Sequence, residues 1–237
     1  MAIAFVAAAS EDATLDTSGT AVTFSFDAGS TDNRLMAIRV TWRDVGGHTI
    51  GDTAVTFNGV ALTPAGASIS GTACRGRLWY LHGPASGSNT VSVDPSTGSA
   101  EALATIDVYV YDGVDSGTPI DNYNSAVGTD STGELTVTSE AGDVPLFTIG
   151  MRGSVPVSIA ATNYTERFSD NINSQIMSDG GDGVGDTSVA FVGTIVATSV
   201  SGWITAGFNM NAAAGGATPP AGHYLQYYRT TVLGMAA

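Results

Sequence analysis

There is no lysine in this chain, and its eight basic residues are all arginine, set against 22 acidic side chains for a formal charge of −14. Nucleic-acid affinity depends on cationic groups that release counterions from the phosphate backbone, so this balance argues against a nucleic-acid partner. An anionic membrane surface is disfavoured for the same reason. Cysteine is nearly absent too. Cys74 stands alone, so no intrachain disulfide can form and the fold must rest on its core. A catalytic thiol needs a neighbour that lowers its pKa, and only Arg75 and Arg77 are near in sequence. Cys74 is therefore expected as a buried small residue at the start of a strand.

Long apolar runs are missing as well. No segment of about 18 apolar residues exists that could cross a bilayer as a helix. Residues Met1 to Ser10 (MAIAFVAAAS) have the look of a secretory h-region but lack a positive flank, and a first strand is the better expectation. Charged residues make up only 13% of the chain, and the long side chains that build helices are scarce. The one helical candidate is a short stretch within Asp170 to Met177. Catalytic signatures are missing in the same way. There is no G-x-S-x-G turn for a serine hydrolase, no His or Cys pair with zinc-ligand spacing, and His48, His82 and His223 fall in unrelated segments. Glu occurs only at 11, 101, 134, 140 and 166, so no strand carries the paired acids of a glycosidase. The expectation is a protein that is not an enzyme, with no catalytic residues and no cofactor.

What is present is alternation. From Cys74 to Asp121 the chain reads as three successive strands with period two, ended by Gly, Pro or Asp turns. In Ala100 to Tyr111, Ala102, Ala104, Ile106, Val108 and Val110 fall on one face, and Leu103, Thr105, Asp107, Tyr109 and Tyr111 on the other. In Arg34 to Trp42, Met36, Ile38, Val40 and Trp42 face in while Arg39 and Thr41 face out. Asn58-Gly59 between alternating segments is a strong hairpin signal, because a type I′ turn needs two positive φ angles. Further strands are expected at 3–9, 21–26, 134–139, 144–151, 157–163, 188–196 and 202–210, with polar segments at 10–19 and 164–186 between them. No tandem repeat is visible. The spacing of turns predicts an all-β, antiparallel β-sandwich of jelly-roll or concanavalin-like type over residues 1–211. A Gly/Pro/Ala linker at 212–222 and a C-terminal tail at 223–237 follow.

Four segments carry a resemblance: TFNGVALT at 56–63, RLWYL at 77–81, GPASGSNTVSV at 83–93 and GVDSGTPI at 113–120. Asn33 to Met36 and Thr136 to Asp143 add two more positions. Together they resemble a widespread family of β-sandwich domains found in bacteriophage virion proteins and bacterial extracellular proteins. The resemblance implies a jelly-roll or lectin-like fold and a structural protein of a virus particle, a capsid decoration or tail component. Its partners would be other virion proteins and further copies of itself. It carries no catalytic residues across, and fold alone fixes no function.

Three groups of residues are candidate sites. The tail segment HYLQYYRTTVL at 223–233 is too apolar for a solvated end, and Tyr224, Tyr227, Tyr228 and Arg229 are of the types enriched at interface hot spots. They are the expected partner-binding residues. Asp107 beside Tyr109 and Tyr111 on an outward strand face is the alternative site, for a carbohydrate-binding or adhesive module at a cell surface or outside the cell with a glycan partner. Asp179, Asp182 and Asp186 in the Gly-rich run DGGDGVGD supply hard oxygen ligands suited to calcium. No repeat or bidentate Glu completes that site, and the run reads instead as a mobile acidic loop. Asn163-Tyr164-Thr165 is a glycosylation sequon, meaningful only in a eukaryotic secretory route.

Overall fold

The computed structural model describes residues 2–153, 158–162, 164–172, 175–185, 189–196 and 200–213. Among them there is no helix, and every ladder is antiparallel. The N-terminal half forms β1 (Ala4–Leu15), β2 (Val22–Asp27), β3 (Leu35–Arg43), β4 (Ile50–Phe57), β5 (Val60–Ala61), β6 (Thr63–Pro64), β7 (Ile69–Ser70), β8 (Cys74–His82), β9 (Ser88–Pro95) and β10 (Ala102–Asp112). The C-terminal half forms β11 (Ile120–Gly128), β12 (Thr132–Val137), β13 (Val144–Gly153), β14 (Ser158–Thr162), β15 (Thr165–Ile172), β16 (Ile176–Asp182), β17 (Val189–Val196) and β18 (Val200–Met210).

Sheet membership follows this division of the chain. The first half builds a larger sheet, β1-β10-β3-β8-β6 with β7 also on β8, and a smaller one, β2-β9-β4-β5. The second half builds β11-β18-β13-β16-β15 and β12-β17-β14. Leaving out the two-residue β6 and β7, each half has eight strands. In both, the larger sheet runs first, eighth, third, sixth, and the smaller runs second, seventh, fourth. This is the jelly-roll order, executed twice; only the fifth strand differs, joining the smaller sheet as β5 and the larger one as β15. What the sequence presents as one sandwich over residues 1–211 is two sandwiches of the same topology in tandem.

Three apolar layers hold the four sheets together. Between the two sheets of the first half lie Met36, Ile38, Val40 and Trp42 of β3 and Ile106, Val108 and Val110 of β10, all at most 1% exposed. These are the core residues expected from alternation. Phe57, Val91 and Val93 meet them from the smaller sheet. Between the sheets of the second half lie Leu135, Val137, Phe147, Ile149, Met151 and Trp203. The third layer joins the halves: Leu35, Leu78, Tyr109 and Tyr111 of the first larger sheet pack on Leu146, Ile176, Ile204 and Phe208 of the second. In that packing β1 faces β15, β10 faces β16, β3 faces β13, β8 faces β18 and β7 faces β11.

Local signals account for the turns. Asn58 and Gly59 take φ of 50° and 75° between β4 and β5, as a type I′ hairpin requires. The crossover at 113–119 is sewn to the end of β18: Asp115 N donates to Asn211 O at 2.8 Å and Val114 bridges to Ala212. Ala213 N donates to Gly113 O at 2.9 Å, so the first two residues of the expected 212–222 linker are bonded to the fold. Several expectations need correction. β1 continues through Ser10 to Leu15, where a polar connection was expected. The polar segment 164–186 contains the β15–β16 hairpin in place of the short helix within 170–177, and β11 had no counterpart in the sequence reading.

Candidate functional site

The face of β10 that carries Thr105, Asp107, Tyr109 and Tyr111 was expected to meet solvent or a subunit. It is buried within the chain: these four side chains are at most 1% exposed, and Arg39 and Thr41 beside them on β3 are likewise buried. Register places Asp107 opposite Arg39 and Thr105 opposite Thr41. The second sandwich covers them. On β16, Ser178, Gly180 and Asp182 alternate toward the first sandwich, with Asp170 and Arg167 of β15 alongside. The outcome is a closed polar seam along β1, β10 and β3 on one side and β15, β16 and β18 on the other.

Its contacts are specific. Tyr111 donates to Asp182 Oδ2 at 2.6 Å, and Arg167 grips the same carboxylate through Nε at 2.5 Å and Nη2 at 2.9 Å. The Arg167 guanidinium also lies 4.2 Å from the centroid of Phe5, whose ring meets Tyr111 edge-on. Ser10 Oγ sits 2.9 Å from both Asp107 Oδ1 and Asp170 Oδ2, and Ser178 Oγ sits 3.0 Å from Asp107 Oδ1. Arg39, opposite Asp107, gives Nε to Thr41 Oγ1 at 2.8 Å and Nη2 to Ile204 O at 3.2 Å.

Burial sets the electrostatics. Desolvation pushes the Asp107 carboxyl up to about 7 even though Arg39 and the two serines pull the other way. It lowers the Arg39 guanidinium from its ordinary value and raises the Tyr109 and Tyr111 phenols well above theirs. Asp179 also rises to about 7 through burial, against a hydrogen bond from Tyr164 to its Oδ1 at 2.5 Å. A group with a perturbed pKa in a cleft is a candidate for catalysis. Here the perturbed groups are sealed between sheets, and the arrangement can hold protons and orient dipoles but offers a substrate no path to Asp107.

The calcium candidates do not converge. Asp179 and Asp182 lie in strand β16, not in an acidic loop, and positions three apart on a strand point to opposite faces. Asp182 turns to Tyr111 and Arg167, while Asp179 turns to Tyr164. Asp186 is outside the described residues, as are Asn163 and the tail candidates Tyr224, Tyr227, Tyr228 and Arg229. Among the described residues no three metal-ligating side chains come together. The glycan candidates Asp107, Tyr109 and Tyr111 do come together, but as interior residues. Sequence reading missed Ser10, Arg167, Asp170 and Ser178, which sit in segments taken as polar connections; the only hint was an Asp and two Tyr sharing one strand face.

Cys74 opens β8 and is fully buried, its Sγ 3.8 Å from Gly150 O and 3.7 Å from Gly202 O on the second sandwich. Burial pushes the thiol up to about 12. A soluble aromatic disulfide should therefore leave Cys74 unmodified for hours in the native protein and label it fully in denaturant; rapid native labelling would contradict the packing of the two halves. Compared with family models and with curated proteins, the chain matches none.

Proposed function

We propose that this chain is a non-enzymatic structural protein of a virus particle, a bacteriophage capsid decoration or tail component that acts through protein–protein contacts. The observation that carries this reading is the fate of its chemically able side chains. Asp107, Tyr109, Tyr111 and Asp182 are spent on joining two jelly rolls, and double-sheet jelly rolls recur in viral capsid and lectin domains. The similarity of residues 56–63, 77–81, 83–93 and 113–120 to virion sandwich domains points the same way, as does a lysine-free acidic composition. Burial of Asp107, Tyr109 and Tyr111 removes the strand face on which the glycan-binding alternative stood.

The test is stoichiometric mass spectrometry of purified particles. The chain should be present in many copies per particle and resist a salt wash; recovery solely in the particle-free supernatant would overturn the reading. Partner contact is assigned to the tail at 223–237, through Tyr224, Tyr227, Tyr228 and Arg229. Deleting residues 214–237 should leave far-ultraviolet circular dichroism unchanged and the Tm within a few degrees, because β18 ends at Met210 and its exit is held by Val114 and Gly113. Co-sedimentation with particles should fall at least tenfold. An aggregated or strongly destabilised product would place the tail in the chain's own core.

A further inference from the structure

At Ser10 the seam has one hydroxyl proton for two carboxylate contacts. Ser10 Oγ carries one proton yet lies within bonding distance of carboxylate oxygens on Asp107 and Asp170. With both carboxylates ionised, one contact has a proton and the other sets lone pair against lone pair. Adding one proton at Asp107 Oδ1 gives each of these three contacts a donor: Ser178 donates to Oδ1, Oδ1 donates to Ser10, and Ser10 donates to Asp170, while Asp107 Oδ2 has no partner among the described residues. Asp107 belongs to the first sandwich and Asp170 to the second, so the completed chain of donors crosses between them.

We propose that Asp107, Ser10, Asp170 and Ser178 form a proton-operated clasp between the two sandwiches, closed when Asp107 is protonated and weakened when it ionises. Burial supports this, since nothing but the seam solvates the Asp107 carboxyl, which is 0% exposed. Arg39 of β3 and Asp170 of β15 act on it directly, as do the Ser10 and Ser178 hydroxyls of β1 and β16, with Tyr109 next on β10. Asp12 of β1 reaches it through Asp170, and Asp179, turned to Tyr164 on the other face of β16, adds its charge from behind that strand. Arg39 is the one cation directly opposite, and it is held by Thr41 and Ile204 O without an ion pair to Asp107. Asp12, raised to about 6 by partial burial and then by its hydrogen bond to Asp170, adds a second proton at the solvent end of the same chain.

The sign follows from the raised carboxyl. A carboxyl at about 7 in the folded state and near 4 in the unfolded state stabilises fully below pH ~4, and the contribution is lost as pH rises to about 7. The clasp is tight in mild acid and loose above neutrality, the reverse of an ion-paired carboxylate.

The experiment is thermal unfolding of the full chain from pH 5 to pH 8.5. Wild type should lose on the order of 5–10 °C in Tm across that span. Asp107→Asn, whose Nδ2 in the place of Oδ1 can donate to both Ser10 and Ser178 at any pH, should have a shallower slope than wild type and melt above it at pH 8, the remaining slope coming from Asp179 and Asp12. Equal slopes, or a lower melting point for the variant at pH 8, would overturn the clasp. If Asp107→Asn does not fold, Asp170→Asn reads the same property, because its amide donates to Ser10 and frees the serine proton for an ionised Asp107. Its slope should shrink, and an unchanged slope counts against the proposal. Hydrogen exchange, corrected for intrinsic rates, should show faster opening of β1, β15 and β16 than of β4 and β9 at pH 8.5 in wild type alone; uniform opening would point to general charge repulsion instead.

Discussion

Val108→Asp should abolish folding. Val108 sits at the middle of β10, paired to Ala9 on one side and Ile38 on the other, and is 0% exposed in the layer between the sheets of the first sandwich. The new carboxylate would face Met36, Ile38 and other aliphatic groups with no donor among them. An unpaired buried charge costs several kcal/mol, a large share of a typical stability of about 5–15 kcal/mol. The product should be insoluble or lack the β-sheet circular-dichroism band. Val108→Ala, which only deletes two carbons, should fold with a loss of about 2–3 kcal/mol in urea titration. Thr23→Asp, on the exposed face of β2, should change stability by less than about 0.5 kcal/mol. A soluble Val108→Asp protein with native stability would mean that β10 is not central.

Gly180→Ala should destabilise the protein through the joint between the two sandwiches. A β-carbon at this position of β16 would land on the hydroxyl of Tyr109, which is fully buried and belongs to the other sandwich. The ring cannot retreat without disturbing Leu35, Leu146 and Phe208 in the same layer. Overpacking of this kind costs about 1–3 kcal/mol and sometimes more. The cost should be shared between halves: in a Tyr109→Phe background Gly180→Ala should cost less, with a coupling of about 0.5–3 kcal/mol from a double-mutant cycle. Additive effects would show that β10 and β16 do not touch as the structure places them.

These two positions also show what could and could not be read in advance. Val108 was legible because an apolar period of two on a strand has one physical reading, burial against another sheet. The opposite face of the same strand was not. Thr105, Asp107, Tyr109 and Tyr111 have the composition of a wetted surface, and nothing in one strand reveals that Ser10 and Ser178 will meet Asp107 or that Asp182, far away in the chain, will accept from Tyr111. Gly180 and Gly181 misled for a related reason. Glycine pairs mark loops when conformational freedom is their use, but here they sit inside β16 because Tyr109 and the Thr165 carbonyl approach too closely for any side chain. The doubled topology left no trace because strand order depends on alternation and turn placement, which many sequences satisfy, and not on matching residues.

The facing of strands has its own internal symmetry. Exchanging the strands of the two larger sheets by position, with β7 beside β8 standing where β15 lies beside β16, turns the β1–β15 contact into β11–β7 and the β10–β16 contact into β18–β8, and maps β3–β13 onto itself. That is the contact pattern of a two-fold dimer, in which a patch meets its own copy. Joined by residues 113–119, the two partners form one molecule, so their association is a first-order event that dilution cannot reverse. Tethering also releases each partner from self-complementarity. A true dimer would have to bury Asp107, Arg39 and Tyr109 twice, at positions where each must also accommodate its own image. Covalent fusion lets one half keep the ring and the other the glycine that makes room for it.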